Sequence, residues 1–256
     1  MLPLQGVGVL VTRPEQQATS LCRLLESNGA LAVRLPAIDI EPVGNGDELR
    51  QRLGTPDAFD LIIFTSANAV RFGVALLEQR RDLTLAAIGP ATARALDQAG
   101  YRVAVTPAGG FDSESLLSHP MLAHVAGRRV LLIKGLHGRE LLRDELTLRG
   151  AQVIVADVYG RARIRHSAAT LDALAARLSA GEIHIITATS AEIAVSLLDM
   201  ATPRLRREFA RMHWLVPSAR VAVAVRGRGV AAPILQANTA DDQDLLSAIL
   251  RWRSSW

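Results

Sequence analysis

Two hydroxyl-rich turns follow apolar segments of the chain, and their residue types fit a binding site. Thr65 and Ser66 follow the apolar residues 61–64, and Thr189 and Ser190 follow a similar run in the second half. In both places the pattern predicts a strand and then a helix that begins near the serine. A helix N-terminus presents unpaired N–H groups and the positive end of the helix dipole, which attract anions. Two such turns predict a cleft for one polyanionic ligand.

Polar and glycine residues after other predicted strands extend this candidate site. Arg13 and Lys134 each follow the first strand of a half and carry charges that suit carboxylates. Gly89 would let the backbone approach a ligand closely, Thr92 would add a hydroxyl, and Ser218 holds the corresponding place in the second half. The same residues also fit ordinary helix caps and surface ion pairs, and the pattern leaves that alternative open.

The order of predicted elements occurs twice along the chain. Each half alternates apolar strands with helical segments, which predicts an α/β fold with parallel sheets and helices on both faces. The repeated order indicates an old duplication that yields two flavodoxin-like domains. The segments 37–41 and 157–165 occupy matching places and look extended, so we expect them to be two linkers. Ligands of such sheets bind beyond the carboxyl ends of the strands, where the candidate residues fall.

Composition narrows the functional classes. The 256 residues are 49% hydrophobic and 21% charged, with a net charge of +4. A concentrated basic stripe or known motif for nucleic acid is missing, and no apolar run is long enough to span a bilayer. With Cys22 the only cysteine and no signal-type N-terminus, we expect a cytoplasmic protein. Phosphate-loop and dinucleotide motifs are missing, and no pair of histidines has helical ligand spacing, so we expect neither cofactor nor metal.

Short motifs in a fixed order resemble the uroporphyrinogen-III synthase family over nearly the full chain. They are the segments 11–14, 35–42, 64–70, 87–93 with Gly100, 134–140, and Val158-Tyr159 followed by Arg161. The resemblance implies a discontinuous domain of residues 1–36 plus 166–256 and a second domain of residues 42–156. The second half departs from the pattern where Pro217-Ser218 replaces the Gly89-Pro90 of the first half.

The resemblance also implies a reaction. Members of this family close the linear tetrapyrrole hydroxymethylbilane into uroporphyrinogen III, with loss of water and inversion of the terminal ring, and use no cofactor or metal. It implies Tyr159 as the acid that assists loss of the hydroxyl group, and Thr65, Ser66 and Asn68 among the substrate-binding residues. Tyr159 also fits a linker tyrosine that only packs. We expect a monomer, and direct transfer of substrate from the preceding enzyme of the pathway stays open.

Two other functional classes compete with this enzyme. One is a cytoplasmic two-domain protein that binds a small polyanion without chemistry, as solute-binding proteins do. The other is a two-domain sugar-nucleotide transferase, although its usual acidic or glycine-rich nucleotide motifs are missing. The isomer formed from hydroxymethylbilane separates the three classes, because only a synthase directs closure to the type III product.

Overall fold

The computed structural model describes residues 2–255. The chain divides into two compact units, each described here by itself. The central unit is Ile40–Arg161, and the terminal unit comprises the chain up to Asp39 and from Ala162 onward. Among residues 2–255, no helix combines the length and the apolar character that crossing a membrane requires.

Strands and helices alternate along most of the chain. The strands are β1 (Gly8–Val11), β2 (Leu31–Arg34), β3 (Ile38–Pro42), β4 (Leu61–Phe64), β5 (Leu85–Ala87), β6 (Arg129–Gly135), β7 (Gln152–Arg163), β8 (Ile185–Thr187), β9 (His213–Val216) and β10 (Ile234–Gln236). The helices are α1 (Glu15–Ser27), α2 (Gly46–Leu53), α3 (Ala67–Gly73), α4 (Pro90–Gln98), α5 (Ser113–Leu117), α6 (Pro120–Ala123), α7 (Leu141–Leu148), α8 (Ala168–Ser179), α9 (Ala191–Met200), α10 (Pro203–Arg211), α11 (Ala219–Arg226) and α12 (Asp242–Arg253).

Each unit is built on a five-stranded sheet. The order is β10-β9-β8-β1-β2 in the terminal unit and β3-β7-β6-β4-β5 in the central unit. The paired strands of the terminal sheet are parallel, and so are β4, β5, β6 and β7 in the central sheet. The predicted α/β fold with parallel sheets is therefore confirmed. Because parallel strands end at one edge, the loops after them gather there.

Both faces of each sheet are covered by apolar side chains. In the central unit, Ile62 and Ile133 face the cluster that includes α3, whereas Ile63 and Leu132 face the opposite cluster. In the terminal unit the two faces also carry separate buried clusters. Strands buried on both faces read as continuous apolar runs, which is why the sequence marks them so clearly.

A reciprocal pair of threonine bonds joins β1 to β8 at the carboxyl edge of the terminal sheet. The hydroxyl of Thr12 donates to the carbonyl of Thr187 at 2.5 Å, and the hydroxyl of Thr187 donates to the carbonyl of Leu10 at 3.1 Å. Both threonines are fully buried. Each hydroxyl therefore has the partner that a buried polar group requires.

Residues 157–163 of the predicted linker lie in β7, which ends at Arg163 and neighbours β3 in the sheet. One local expectation differs from the structure. The sequence pattern predicts a strand over residues 101–105, but the structure has only a single bridge there, between Val105 and Ala86. Pro107 follows shortly after and has no N–H to lengthen a ladder.

Candidate active site

Tyr159 lies on β7 next to an irregularity in the pairing with β6. Lys134 pairs with Asp157, but Gly135 pairs with Tyr159, so Val158 is an extra residue on β7. Side chains alternate along a regular strand, so Tyr159 would face away from Val158. Instead both belong to the cluster that packs on α3. The bulge therefore turns the tyrosine towards α3, as bulges often re-aim a side chain.

Ser66 and Tyr159 meet through their hydroxyl groups. The Tyr159 oxygen lies 3.1 Å from Ser66 Oγ, and the same Oγ accepts the backbone N–H of Ala69 at 2.9 Å. The ring of Tyr159 stacks on Phe72, with centroids 6.0 Å apart. Tyr159 is 7% exposed and is one of the residues that line a pocket.

The pocket beside this pair has a cavity volume of about 260 Å³. All of its lining residues belong to the central unit. They are Thr65, Ser66, Ile88, Ser113, Lys134, Gly135, Leu136, Gly138, Arg139, Leu142, Tyr159 and Arg161. The pocket thus combines hydroxyl groups with three basic side chains and apolar surface. Such a lining suits an organic molecule that carries carboxylates.

Lys134 contributes a buried charge to this pocket. It is 3% exposed, and its Nζ donates to Glu140 Oε1 at 2.5 Å and to the carbonyl of Gly138 at 3.3 Å. The hydrogen bond from Lys134 lowers the pKa of Glu140 below its ordinary value, and the positive charges of Lys134 and Arg143 add to this shift. Lys134 is therefore held in place by a carboxylate outside the lining of the pocket.

Arg139 is a second fixed cation. Its two terminal nitrogens bind the two carboxylate oxygens of Glu114 at 3.0 and 2.6 Å. These hydrogen bonds lower the pKa of the Glu114 carboxyl. A two-point pair of this kind fixes the plane of the guanidinium. Arg139 and Arg161 both line the pocket, although only their surrounding motifs had drawn attention in the sequence.

The other candidates of the central unit take different places. Thr65 lines the pocket and its hydroxyl bonds the carbonyl of Ile133 at 3.4 Å. Asn68 is half-buried in the first turn of α3 and is not among the lining residues. Thr92 is buried in α4. A Cβ on Gly89 would lie 3.0 Å from that of Phe111, so in this structure Gly89 makes room for Phe111.

The candidates of the terminal unit lie at the carboxyl edge of its sheet. Ser190 caps α9 by accepting the N–H of Ile193 at 3.2 Å, and Thr189 precedes it. Ser218 stands at the start of α11 without a capping bond from its side chain. Arg13 is buried, and its guanidinium binds Asp242 and the carbonyl of Ala240. The structure thus gives Arg13 an ion pair, the alternative that the sequence left open, with a partner in α12 that the sequence did not suggest.

No cluster of three or more metal-ligating side chains occurs among residues 2–255. The lining of the central pocket includes a phenol, a serine hydroxyl and basic side chains.

Comparison with known proteins identifies the family. A family model described as uroporphyrinogen-III synthase HemD matches residues 19–247. The chain belongs to the uroporphyrinogen-III synthase family.

Individual members of the uroporphyrinogen-III synthase family match almost end to end. The uroporphyrinogen-III synthase of Escherichia coli K12 is 33% identical over 250 residues, which cover 95% of this chain and 100% of the relative. Among solved structures, the uroporphyrinogen-III synthetase of Helicobacter pylori 26695 has a TM-score of 0.62 at 14% identity, covering 96% of this chain and 99% of that one. A mutant enzyme from the extremely thermophilic bacterium Thermus thermophilus has a TM-score of 0.58 at 22% identity, covering 98% of this chain and 100% of that one. These structures share the fold.

Gly135 is one residue of this site that the sequence pattern does not reveal. The apolar run before it ends at Ile133, which predicts a turn at Gly135, whereas β6 continues through it. A glycine at the end of an apolar strand is a known signal for a bulge or a close approach, and it could have been used.

Proposed function

We propose that this chain cyclises hydroxymethylbilane to uroporphyrinogen III, with loss of water and inversion of the terminal pyrrole ring. One observation carries the assignment of the site. In a member of this family, Tyr159 lines a pocket that also holds Lys134, Arg139 and Arg161. A linear tetrapyrrole with many acetate and propionate groups needs both an acid near its hydroxyl and cations for its carboxylates.

Tyr159 is the proposed acid. The C–O bond of the substrate breaks with both electrons going to oxygen, and the phenol proton goes to that oxygen, so water leaves and an azafulvene-type cation remains. For inversion, the cationic carbon bonds to the carbon of the terminal pyrrole that carries its existing bridge. That older carbon–carbon bond then breaks and leaves a second azafulvene-type cation, which closes on the free α-carbon of the ring. The proton released from this carbon returns to the phenolate. Ser66 supports this cycle when its hydroxyl donates to Tyr159 across the 3.1 Å contact, because that bond stabilises the phenolate.

Inversion of the terminal ring also demands control of geometry. Closure without inversion competes in water, so the enzyme has to hold the rings in a folded arrangement while the cation exists. Thr65, Lys134, Arg139 and Arg161 are the proposed anchors in the central unit, all in the lining of one pocket. Fixed cations cost little reorganisation when the substrate binds, and both Lys134 and Arg139 are held by glutamates.

Other predicted contacts stay part of this proposal on their chemistry. In the central unit they are Asn68, Gly89 and Thr92, which lie in or beside the turns that follow β4 and β5. In the terminal unit they are Arg13, Thr189, Ser190 and Ser218, which follow β1, β8 and β9. A carboxylate near Ser190 would also meet the start of α9, a ten-residue helix.

We also infer that the two units descend from a duplication and have flavodoxin-like order. The terminal unit has the strand order β2-β1-β8-β9-β10. The central unit has the corresponding order β7-β6-β4-β5, with the bridge at Val105 in the place of β10. The two orders match when strands from the first half of the chain are aligned with strands from the second half. The predicted boundaries after residues 36 and 156, the linkers 37–41 and 157–165, a monomeric state and a cytoplasmic location belong to the same proposal. So does delivery of hydroxymethylbilane by the preceding enzyme.

The decisive assay supplies purified protein with freshly made hydroxymethylbilane and separates the product isomers. We expect the type III isomer, formed faster than spontaneous closure yields type I. A product that is type I alone, formed at the spontaneous rate, would overturn the proposal.

A further inference from the structure

Gly135 faces the ring of Tyr159 across the β6–β7 pairing. A Cβ on Gly135 would lie 2.5 Å from Cζ of Tyr159, 2.8 Å from Cε2 and 2.9 Å from the hydroxyl oxygen. Contacts below about 3 Å between such atoms are repulsive, so the ring occupies space that only glycine leaves open. The atoms involved are the hydroxyl end of the ring, which is the end that meets Ser66.

The backbone of Gly135 does not itself require glycine. Gly135 is not one of the glycines in residues 2–255 that have a positive φ. An alanine is therefore compatible with the backbone conformation, and its cost would come from the missing space alone. Gly100 and Gly150, by contrast, have φ of 83° and 85° and would be strained by any side chain.

The backbone of Tyr159 is held by a hydrogen bond and by the strand pairing, so an added methyl group at position 135 would act on the ring. Phe72 stacks on the ring of Tyr159 with centroids 6.0 Å apart, and the backbone carbonyl of Tyr159 accepts the N–H of Leu136 at 2.8 Å. The strand cannot slide, since Gly135 and Tyr159 are paired directly after the bulge. A methyl group at position 135 would therefore displace the hydroxyl end of the ring rather than the backbone.

We propose that Gly135 is the positioning residue for the Tyr159 hydroxyl. The bulge turns the tyrosine towards α3, and the missing side chain at 135 lets its hydroxyl come within hydrogen-bonding distance of Ser66, beside the pocket that both residues line. This inference rests on the proposed role of Tyr159 as the acid. It adds a specific claim that position 135 tolerates no side chain because of the position of the hydroxyl, and not because of the fold.

A double-mutant cycle tests the claim. We expect Gly135→Ala to lower kcat about 10-fold or more in the parent protein, with KM changed less than about threefold, because a misplaced acid affects the chemical step. In the Tyr159→Phe background the same alanine should cost less than about twofold, since no hydroxyl is left to displace. Equal losses in both backgrounds, or no loss in the parent, would overturn the proposal.

The matched control is Gly160→Ala. Gly160 follows Tyr159 on the same strand, and a Cβ there would meet only the side chain of Val43, at 3.2 Å. We expect this variant to retain kcat within about twofold, because nothing near the hydroxyl changes. A loss as large as that of Gly135→Ala would show that β7 as a whole is sensitive, which would overturn a specific role for position 135.

A second readout is independent of activity. The chain has two tyrosines, so ring-labelled tyrosine gives two resonances, with Tyr101 as an internal reference. Gly135→Ala should move the Tyr159 signal and leave the Tyr101 signal in place, whereas Gly160→Ala should move neither. An unmoved Tyr159 signal would overturn the proposal. If the parent protein made no type III product, the proposed function would fail, yet the resonances would still decide whether Gly135 positions the ring.

If Gly135→Ala fails to fold, a second substitution that restores folding still tests the proposal. Tyr159→Ala removes the ring that the new methyl group would contact, so the combination of both changes should fold again. The comparison is with Tyr159→Ala alone: a combination that loses as much stability relative to Tyr159→Ala as Gly135→Ala loses relative to the parent would overturn the proposal, because the cost would then lie outside the contact with Tyr159.

Discussion

Ser66 and Tyr159 share a hydrogen bond of 3.1 Å in which Ser66 Oγ already accepts the N–H of Ala69. A serine hydroxyl has one proton to donate. When Ser66 donates it to Tyr159, the phenol proton is free for a ligand in the pocket. When Tyr159 donates to Ser66 instead, that proton is occupied. Substrate binding therefore has to favour the first arrangement for Tyr159 to act as an acid.

Tyr159→Phe should slow turnover more than it weakens product binding. Loss of a general acid costs about 100-fold at the low end of its usual range, and the low end applies because the substrate ionises readily. Product affinity should change by less than about threefold, since the ring and its packing on Phe72 are kept. Steady-state kinetics and product titration check both numbers. Unchanged turnover would remove Tyr159 from the acid role.

Ser66→Ala should reduce both stability and turnover. The variant loses the cap of α3 and the partner of Tyr159, so we expect about 1 kcal/mol of lost stability and a fall in kcat of roughly 10-fold. Ser167→Ala is the control, because Ser167 caps α8 by accepting the N–H of Thr170 at 3.1 Å and lies outside the site. Denaturant unfolding curves and steady-state kinetics of both variants test this prediction. A Ser167→Ala variant that loses as much turnover would show that the effect is one of stability alone.

Lys134 and Glu140 should act in opposite directions on substrate binding. Lys134→Met removes a cation from the pocket and leaves the Glu140 carboxylate, so KM should rise roughly fivefold. Glu140→Gln leaves Lys134 without its anion, so KM should fall and become more dependent on salt. Arg177→Met, which removes a surface pair with Glu182, is the control and should leave KM unchanged. A shift of both site variants in the same direction would contradict this account.

The terminal unit should lose stability as the pH falls from about 6.5. Burial, followed by the charge of Arg253 and then His213, lowers the pKa of His184, and burial lowers the pKa of His213. The unfolded chain then binds protons more readily than the folded one. The stabilisation is complete above the unfolded pKa of about 6.5 and is lost as the pH falls towards the folded values.

The variant that tests this pH dependence is His184→Asn. His184 Nδ1 accepts the N–H of Gly8 at 3.0 Å, and an asparagine oxygen can take its place without titrating. Melting curves between pH 5 and 8 should be flatter for the variant than for the parent. Identical slopes would exclude His184 as a source of the pH dependence.

The sequence predicted the elements that depend on local patterns. The buried strands β4 and β6 are continuous apolar runs, and the caps at Ser66 and Ser190 follow from a serine between a strand and a helix. Their bonds to the third following N–H, at 2.9 and 3.2 Å, are of the expected kind.

Features that depend on contacts between residues far apart in the chain could not be predicted from the sequence. Arg13 binds Asp242, which lies 229 residues along the chain, and no local pattern pairs the two. The direction of the Tyr159 side chain depends on a one-residue shift between β6 and β7, which only the pairing of the strands reveals. Regular alternation would have placed the ring on the other face. The sequence predicted that Tyr159 is important, but it could not predict on which face of the sheet the side chain lies.

The division of the chain has a consequence for its synthesis. Translation completes the central unit, Ile40–Arg161, while the preceding segment still lacks most of its sheet. β1 has β2 beside it, but its other neighbour β8 and the strands beyond β8 are not complete until the last part of the chain leaves the ribosome. At 5–20 residues per second this takes on the order of 5–20 s. During this interval the nascent N-terminal segment is an apolar sequence that chaperones can bind.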